Sequence, residues 1–410
     1  MLALTSIWTT ILLAAAVALG PLATDMYLPA LPSMGDALSA GPDQVQLTLS
    51  LYMAGFALAQ LFCGPLADRF GRKPIMIGGF LLFFIASVGC ALATNVETLM
   101  LCRFLQAIGG SAGPVLGRAA IRDIYTPREA SRIMAILASI MALAPAVAPT
   151  LGGFLLAGFG WPSIFIALGG YALVMMVVVA FGIPEPMAPA NRQSLKIRNL
   201  ARNYRHIGTD PSFIGYTLTN AFAFSGLFAF LSGSSFVLID FLGVAPEHYG
   251  LYFACVVAGY ISGNLGAVRL GRRLVPDQIL VRGLMTSVAG GVTMAGLAMT
   301  EVYNVWAVMI PQAVVMMGVG MTLPQTMAGA LANFPTMAGS ASALFGFGQM
   351  ALAAGIGALV GQLYTGTSLV MASIIAACAV AALAAYLLLV QRYPAPGFEP
   401  PQESVRQKVA

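Results

Sequence analysis

The sequence predicts an all-α integral membrane protein of twelve transmembrane helices, arranged as two pseudo-symmetric six-helix bundles. Of its 410 residues, 59% are hydrophobic and only 9% are charged, whereas an ordinary soluble domain has about 25% charged residues. Apolar stretches of about 20 residues, each able to cross a hydrocarbon core of about 30 Å, recur along the whole chain. Because backbone polar groups in lipid must be bonded within the protein, such stretches are predicted to be helices.

Twelve apolar stretches, each ended by proline, glycine or charge, define the predicted spans. The first half holds six, at about residues 7–29, 44–66, 74–94, 97–118, 130–157 and 162–183. The second half holds six more, at about 211–237, 246–268, 279–300, 303–326, 337–362 and 367–391. The predicted domains are therefore a first bundle, a basic cytoplasmic linker, a second bundle and a disordered polar tail, at residues 1–183, 184–210, 211–391 and 392–410.

The basic residues predict the orientation of the chain. Lysine and arginine follow the even-numbered spans, occupy the linker and recur in the tail, and the loops on the other side have none. Short basic loops stay in the cytoplasm, so both termini are predicted to be cytoplasmic. The formal net charge of +5 is thus a consequence of topology that faces lipid headgroups, and it gives no indication of nucleic-acid binding.

Several classes of function lack their motifs in this chain. The sequence contains no glycine-rich phosphate-binding loop of the kind that follows a strand, and no catalytic triad or metal-ligand spacing. We therefore expect neither an enzyme nor an ATP-driven pump. We also expect no cofactor and no metal. The five cysteines all lie within or at the ends of spans and are interpreted as small packing residues. The segment 269–273 repeats the pattern of 69–73, which is a weak sign of internal duplication.

A short charged hairpin between the second and third spans is the most specific motif. Its sequence over 64–73, GPLADRFGRK, resembles the loop between helices 2 and 3 of the major facilitator superfamily. The pair Arg103 and Gln106 resembles the helix-4 signature of that superfamily. The fifth span resembles its antiporter signature, although Ala144 stands where glycine is usual, through residues Pro145, Pro149, Gly152 and Gly153.

Three further patterns, at 24–32, 121–125 and 334–339, resemble the Bcr/CflA group of drug/proton antiporters. The resemblance implies an exporter in the bacterial inner membrane that is driven by protons. We expect it to act as a monomer surrounded by membrane lipid, since one chain can contain the whole pathway. Its implied substrates are small amphipathic compounds, such as bicyclomycin- or chloramphenicol-type drugs and cysteine-related metabolites. Because of Ala144, a proton symporter that takes up a small metabolite is the alternative.

Asp25 and Arg103 are the predicted proton-coupling residues, since they are the carboxylate and the base placed well inside spans. Charged residues there are expensive and are functional candidates by default. At 1.5 Å per residue both lie roughly 8–10 Å below the same membrane face, which allows an ion pair or a water-bridged pair. Moving the two apart, or inserting a substrate, would change the proton affinity of Asp25. The alternative is a structural salt bridge or cap near the surface.

The hairpin and the end of the fourth helix form the predicted conformational gate. By resemblance, Asp68 holds the N-terminus of the eleventh helix near Gly339 in one state, where a carboxylate gains from the helix dipole. Arg72 would pair with Asp123. The alternative is a basic loop that only fixes topology. The whole predicted gate is Gly64, Asp68, Arg69, Gly71, Arg72 and Asp123.

Polar and aromatic residues within the spans are candidates for lining a substrate cavity, and others of this kind would serve as hydrogen-bonding partners between helices. The candidates are Tyr27, Tyr52, Gln60, Gln106, Asn220, Phe224, Phe228, Gln325 and Gln349.

Overall fold

A computed structural model describes residues 7–187 and 197–396, and every regular element in that part of the chain is helical. The first bundle holds α1 Ile7–Asp25, α2 Leu31–Leu38, α3 Pro42–Phe70, α4 Arg72–Ala91, α5 Val96–Gly110, α6 Ala112–Ile124, α7 Pro127–Phe159 and α8 Pro162–Gly182. The rest of the described chain holds α9 Ile197–Gly208, α10 Pro211–Ser235, α11 Pro246–Leu270, α12 Pro276–Met299, α13 Val305–Ala332, α14 Ala338–Gln362 and α15 Leu369–Ala385. Single turns of π-helix, Phe236–Phe241 and Tyr386–Val390, extend α10 and α15.

The predicted all-α membrane architecture is confirmed, since each of the twelve predicted spans falls on a helix. Within the described residues, 11 helical stretches of 20 to 31 residues are long and apolar enough to cross a membrane. Two of them combine consecutive helices, α1 with α2 and α5 with α6. The remaining predicted span, 130–157, falls on the 33-residue α7.

The two halves of the chain repeat one packing scheme. In the first, α5 packs on α3 and α4; in the second, α13 packs on α11 and α12. A Cβ atom on Gly109 of α5 would meet the carbonyl oxygen of Gly79 on α4, and one on Gly318 of α13 would meet the carbonyl oxygen of Gly283 on α12. Glycine therefore permits the same close helix approach at corresponding places in both halves.

The two bundles meet along α3 with α14 and along α7 with α11. Near Leu28, they are also joined by hydrogen bonds. Ser235 Oγ donates to the Leu28 carbonyl oxygen at 2.6 Å, and Ser232 Oγ donates to Gln46 Oε1 at 3.1 Å. We call this side of the molecule the Leu28 end, and the opposite side, at the junction of α3 and α4, the Asp68 end.

The linker and the tail are partly described. Helix α9 lies within the predicted linker, and Tyr204 on it donates a hydrogen bond to the carbonyl oxygen of Leu61 on α3. Ala395 is buried, and its N–H donates to Tyr216 Oη at 3.4 Å. Within the tail predicted to be disordered over 392–410, Ala395 therefore contacts the second bundle, whereas Arg392 and Tyr393 are exposed. Residues 188–196 and 397–410 of the predicted linker and tail lie outside the described residues.

Candidate functional site

Asp25 is a buried carboxylate at the C-terminal end of α1. Its exposed fraction is 3%, and it lies inside a membrane span that runs from Trp8 to Leu38. The ion pairs found among the described residues are both made by Arg72, so Asp25 has no basic partner within 4.0 Å in that part of the chain. A carboxylate in this position is energetically expensive to retain.

Arg103 on α5 is fully buried and is held by neutral acceptors. Its Nη1 donates to the carbonyl oxygen of Ala23 at 3.1 Å and to Gln106 Oε1 at 2.6 Å. Gln106 Nε2 in turn donates to Ser87 Oγ on α4 at 2.7 Å. The arginine thus connects the end of α1, two residues before Asp25, to the α4–α5 pair.

Aromatic rings provide the main compensation for the charge of Arg103. Its guanidinium carbon lies 4.0 Å from the ring centroid of Tyr27, 4.2 Å from that of Tyr52 and 5.7 Å from that of Phe165. A ring face attracts a cation most strongly where water is excluded. Among the described residues, Arg103 Nε and Nη2 and the hydroxyl of Tyr52 have no hydrogen-bond partner.

The predicted contact of Asp25 with Arg103 is therefore not made as a direct ion pair. Arg103 is surrounded by rings and by neutral acceptors, and these already take its Nη1 hydrogens. A second basic residue also lies within a span: Arg118 is exposed on α6, inside the stretch Val96–Ile124, and its Nε donates to the carbonyl oxygen of Pro114. Arg118 is the last residue of the predicted fourth span, 97–118, whereas the helical stretch continues to Ile124.

At the Asp68 end, Arg72 forms two ion pairs. Its Nη1 lies 2.6 Å from Asp68 Oδ1, and its Nε donates to Asp123 Oδ2 at 2.9 Å. Arg69 instead lies over the ring of Phe70, at 5.1 Å. Asp68 therefore pairs with Arg72, four residues further along the same hairpin. At the start of α14, a Cβ built on Gly339 would have no atom within 4 Å in the described part of the chain, apart from its chain neighbours and its own helix. Gly64 is equally free of close neighbours.

Glu185 is a functional candidate that the sequence analysis missed. Its carboxylate accepts the backbone N–H groups of Arg72 at 2.8 Å and Lys73 at 3.1 Å, the first two residues of α4. A carboxylate gains there from the unpaired N–H groups and the helix dipole. Gly71, with φ of 103°, allows this approach, because a Cβ on it would lie 2.6 Å from Glu185 Oε2. The signal in the sequence was an acid between Pro184 and Pro186.

The antiporter-like residues of α7 lie at contacts near the Leu28 end. A Cβ on Gly152 would meet the carbonyl oxygen of Met26, and one on Gly153 would lie 2.7 Å from the carbonyl oxygen of Pro246 at the start of α11. Gly152 therefore packs within the first bundle, whereas Gly153 packs across to the second. Pro145 and Pro149 lie inside the same helix.

In the second bundle, a buried polar network joins three helices. Asn220 on α10 donates to Gln349 Oε1 on α14 at 2.8 Å and accepts from Thr326 Oγ1 on α13 at 2.9 Å. These side chains satisfy one another, as buried polar groups in a membrane must.

The other predicted cavity residues are dispersed. Gln60 packs against Gly346, and Phe228 packs in the core against Gly357, whereas Phe224 and Gln325 are half-buried. A cavity of about 260 Å³ opens between α11 and α13, and no predicted cavity residue lines it.

Comparison with known proteins identifies relatives over nearly the whole chain. A family model described as Major Facilitator Superfamily matches residues 13–358. The chain is 36% identical to the uncharacterized MFS-type transporter YdgK of Bacillus subtilis, over 84% of this chain and 86% of that one. It is 31% identical to a bicyclomycin resistance protein homolog of Haemophilus influenzae, over 91% and 94%.

A solved structure has the same fold. The crystal structure of a D-xylose-proton symporter matches with a TM-score of 0.73 at 15% identity, over 94% of this chain and 98% of that one. At this identity the likeness concerns the fold alone.

Proposed function

Because the chain belongs to the major facilitator superfamily, a family of membrane transporters and not of enzymes, we propose that it exports small amphipathic drugs or metabolites in exchange for protons. Transport proceeds by alternating access in the bacterial inner membrane. The relative that bears the name of a bicyclomycin resistance protein supports drugs of this kind as substrates. Uptake by proton symport is the alternative.

The observation that carries the proposal is the buried carboxylate of Asp25, 3% exposed and without a basic partner among the described residues. A charged group within a membrane costs several kcal/mol or more unless it is compensated. A carboxylate kept at such a position is therefore a candidate for a functional role. A carboxylate that exchanges a proton and is alternately reached from the two sides couples proton movement to transport.

Arg103 is the proposed link between the charge of Asp25 and the position of α1. When Asp25 is protonated, Arg103 binds the carbonyl oxygen of Ala23 and Gln106, as in this structure. When Asp25 is ionised, it attracts the guanidinium away from these neutral acceptors. The two arrangements differ in the contacts between α1 and α5, and so they can favour different states of the bundle.

The ion pairs at the Asp68 end form the proposed gate. Here Asp68 pairs with Arg72, whereas the bundles are hydrogen-bonded together at the Leu28 end. In the opposite state, Asp68 moves to the N-terminus of α14, which attracts a carboxylate. The gate selects between states and does not bind substrate.

Drug resistance measures the direction of transport. We expect expression in a bacterium that lacks its own exporters to raise the inhibitory concentration of bicyclomycin- or chloramphenicol-type drugs, and Asp25→Asn to abolish the gain at equal membrane abundance. Cells made more sensitive to the drug would support uptake and contradict export.

A further inference from the structure

We propose that Arg198, Arg202 and Arg205 on α9 form a binding site for anionic phospholipid headgroups. The three residues are spaced by four and three positions along a 12-residue helix, which places them on one face. All three are exposed. Helix α9 contains no acidic residue, and within the described parts of the chain no carboxylate lies within 4.0 Å of these arginines.

The other face of α9 holds the helix against the protein. Tyr204 Oη donates to the carbonyl oxygen of Leu61 at 2.9 Å, and Ile207 is fully buried. Burial raises the pKa of Tyr204 to about 12, so its phenol remains a hydrogen-bond donor at neutral pH. The arginines are thus presented by a docked helix and not by a free segment.

The docking place of α9 lies beside the lipid. Leu58 and Phe62, one turn before and one residue after Leu61 on α3, are 43% and 55% exposed, as expected of side chains that face hydrocarbon. Helix α3 has 29 residues and is therefore about 43 Å long at 1.5 Å per residue. This length exceeds a hydrocarbon core of about 30 Å, so the final turns of α3 reach the headgroup layer.

Helix α9 also contacts the second bundle. The ring of His206 packs edge-on against Phe334 at 6.0 Å, and a Cβ on Gly208 would lie 3.5 Å from Leu344 on α14. A headgroup held by the arginine face is therefore bound by an element that touches both bundles. Guanidinium groups suit this ligand, because their planar forks bind phosphate oxygens in pairs.

Lipid binding to the purified full-length protein tests the proposal. The detergent-solubilised protein is titrated with phosphatidylglycerol or with phosphatidylcholine, and bound lipid is measured by native mass spectrometry. We expect preferential binding of phosphatidylglycerol. Each basic residue near an anionic surface contributes about fivefold, so Arg198→Gln, Arg202→Gln and Arg205→Gln together should weaken that binding about a hundredfold.

A matched variant controls for the overall positive charge. It removes the same charge from the exposed end of α11 and the residues after it, by substituting glutamine for Arg269, Arg272 and Arg273. We expect this variant to lose much less phosphatidylglycerol binding than the α9 variant, because its arginines do not form the α9 face. Equal losses in the two variants, or no preference for phosphatidylglycerol in the unaltered protein, would overturn the proposal. So would equal competition by soluble glycerol phosphate, since the site would then bind free phosphate.

Discussion

At the scale of single residues, Arg103 compensates its buried charge without a carboxylate. Two tyrosine rings lie within 4.2 Å of its guanidinium carbon, and Ala23 and Gln106 accept its Nη1 hydrogens. Its Nε and Nη2 keep unpaired hydrogens. The residue is therefore stabilised by groups that do not titrate near neutral pH, and it stays available to respond to the charge of Asp25.

Two substitutions of Tyr52 separate the ring from the hydroxyl. Tyr52→Phe keeps the ring over Arg103 and removes a hydroxyl that has no hydrogen-bond partner, so the unfolding temperature should not fall. Tyr52→Leu removes the ring and should lower stability by about 2 kcal/mol, the value of a desolvated cation–π contact. Thermal unfolding in detergent measures both, and equal losses would show that the ring does not stabilise Arg103.

The burial of Asp25 and Arg103 could be predicted from the sequence, because both lie well inside apolar spans; their role in proton coupling stays a prediction. The absence of a direct ion pair between them could not be predicted, because it depends on aromatic rings that only the fold brings around Arg103. Tyr27 and Tyr52 come from two different helical segments, and no local pattern shows that they enclose the same guanidinium. Glu185 was missed for the same reason: only the folded chain brings it to the start of α4.

At the scale of helices, glycine determines how closely α7 approaches its neighbours near the Leu28 end. Gly152 faces the backbone of Met26, and Gly153 faces the backbone of Pro246 in the other bundle. The sequence predicted that this glycine pair matters, through its resemblance to the antiporter signature. It did not predict that one glycine packs within a bundle and the other between bundles, because that division depends on the rotation of α7.

Gly152→Ala and Gly158→Ala form a matched pair on α7. The added methyl at position 152 would overlap the carbonyl oxygen of Met26, whereas no atom lies within 4 Å of a methyl at position 158. We expect the first change to destabilise the protein by about 1–3 kcal/mol. The second should be neutral or should stabilise by up to about 1 kcal/mol through helix propensity. Unfolding temperature and drug export are measured for both variants. Equal values for the two variants would contradict the close packing of Gly152 against Met26.

Glu185→Ala tests the cap at the start of α4. Loss of the carboxylate leaves the N–H groups of Arg72 and Lys73 without their acceptor, and loss of a helix cap costs about 0.5–2 kcal/mol. We expect lower thermal stability and faster hydrogen exchange confined to the first turn of α4. Glu185→Gln keeps an acceptor oxygen, so its thermal stability should lie between that of Glu185→Ala and that of the unaltered protein. Unchanged exchange at Arg72 and Lys73 in the alanine variant would refute the capping role.

At the scale of the whole molecule, the fold was predictable and the state of the transporter was not. Twelve apolar stretches separated by charged or proline-rich breaks require twelve spans, because the bilayer fixes their length. The joining of the bundles at the Leu28 end depends on side chains that meet only after folding, such as Ser235 with Leu28. In the proposed alternating access, such contacts are made and broken as the bundles move, so no single sequence pattern encodes which of them exists.

Crosslinking across the Leu28 end tests alternating access. Cysteines at positions 28 and 235, whose residues are in contact across the bundles, should form a disulfide under oxidation that stops transport reversibly. A control is cysteine at position 226, whose Cβ would lie 3.8 Å from that of Cys378 within the second bundle, a distance that suits a disulfide; its oxidation should leave transport active. Continued transport by the 28–235 disulfide form would contradict a mechanism in which this end must open.

The central claim is that Asp25 carries the proton exchanged for substrate. The most direct measurement is proton flux in liposomes that hold a pH-sensitive dye, with an imposed proton gradient and added bicyclomycin- or chloramphenicol-type drug. We predict that drug dissipates the gradient through the unaltered protein and through Asp36→Asn, which changes an exposed carboxylate, but not through Asp25→Asn. Equal drug-dependent proton flux through Asp25→Asn and the unaltered protein would contradict the account.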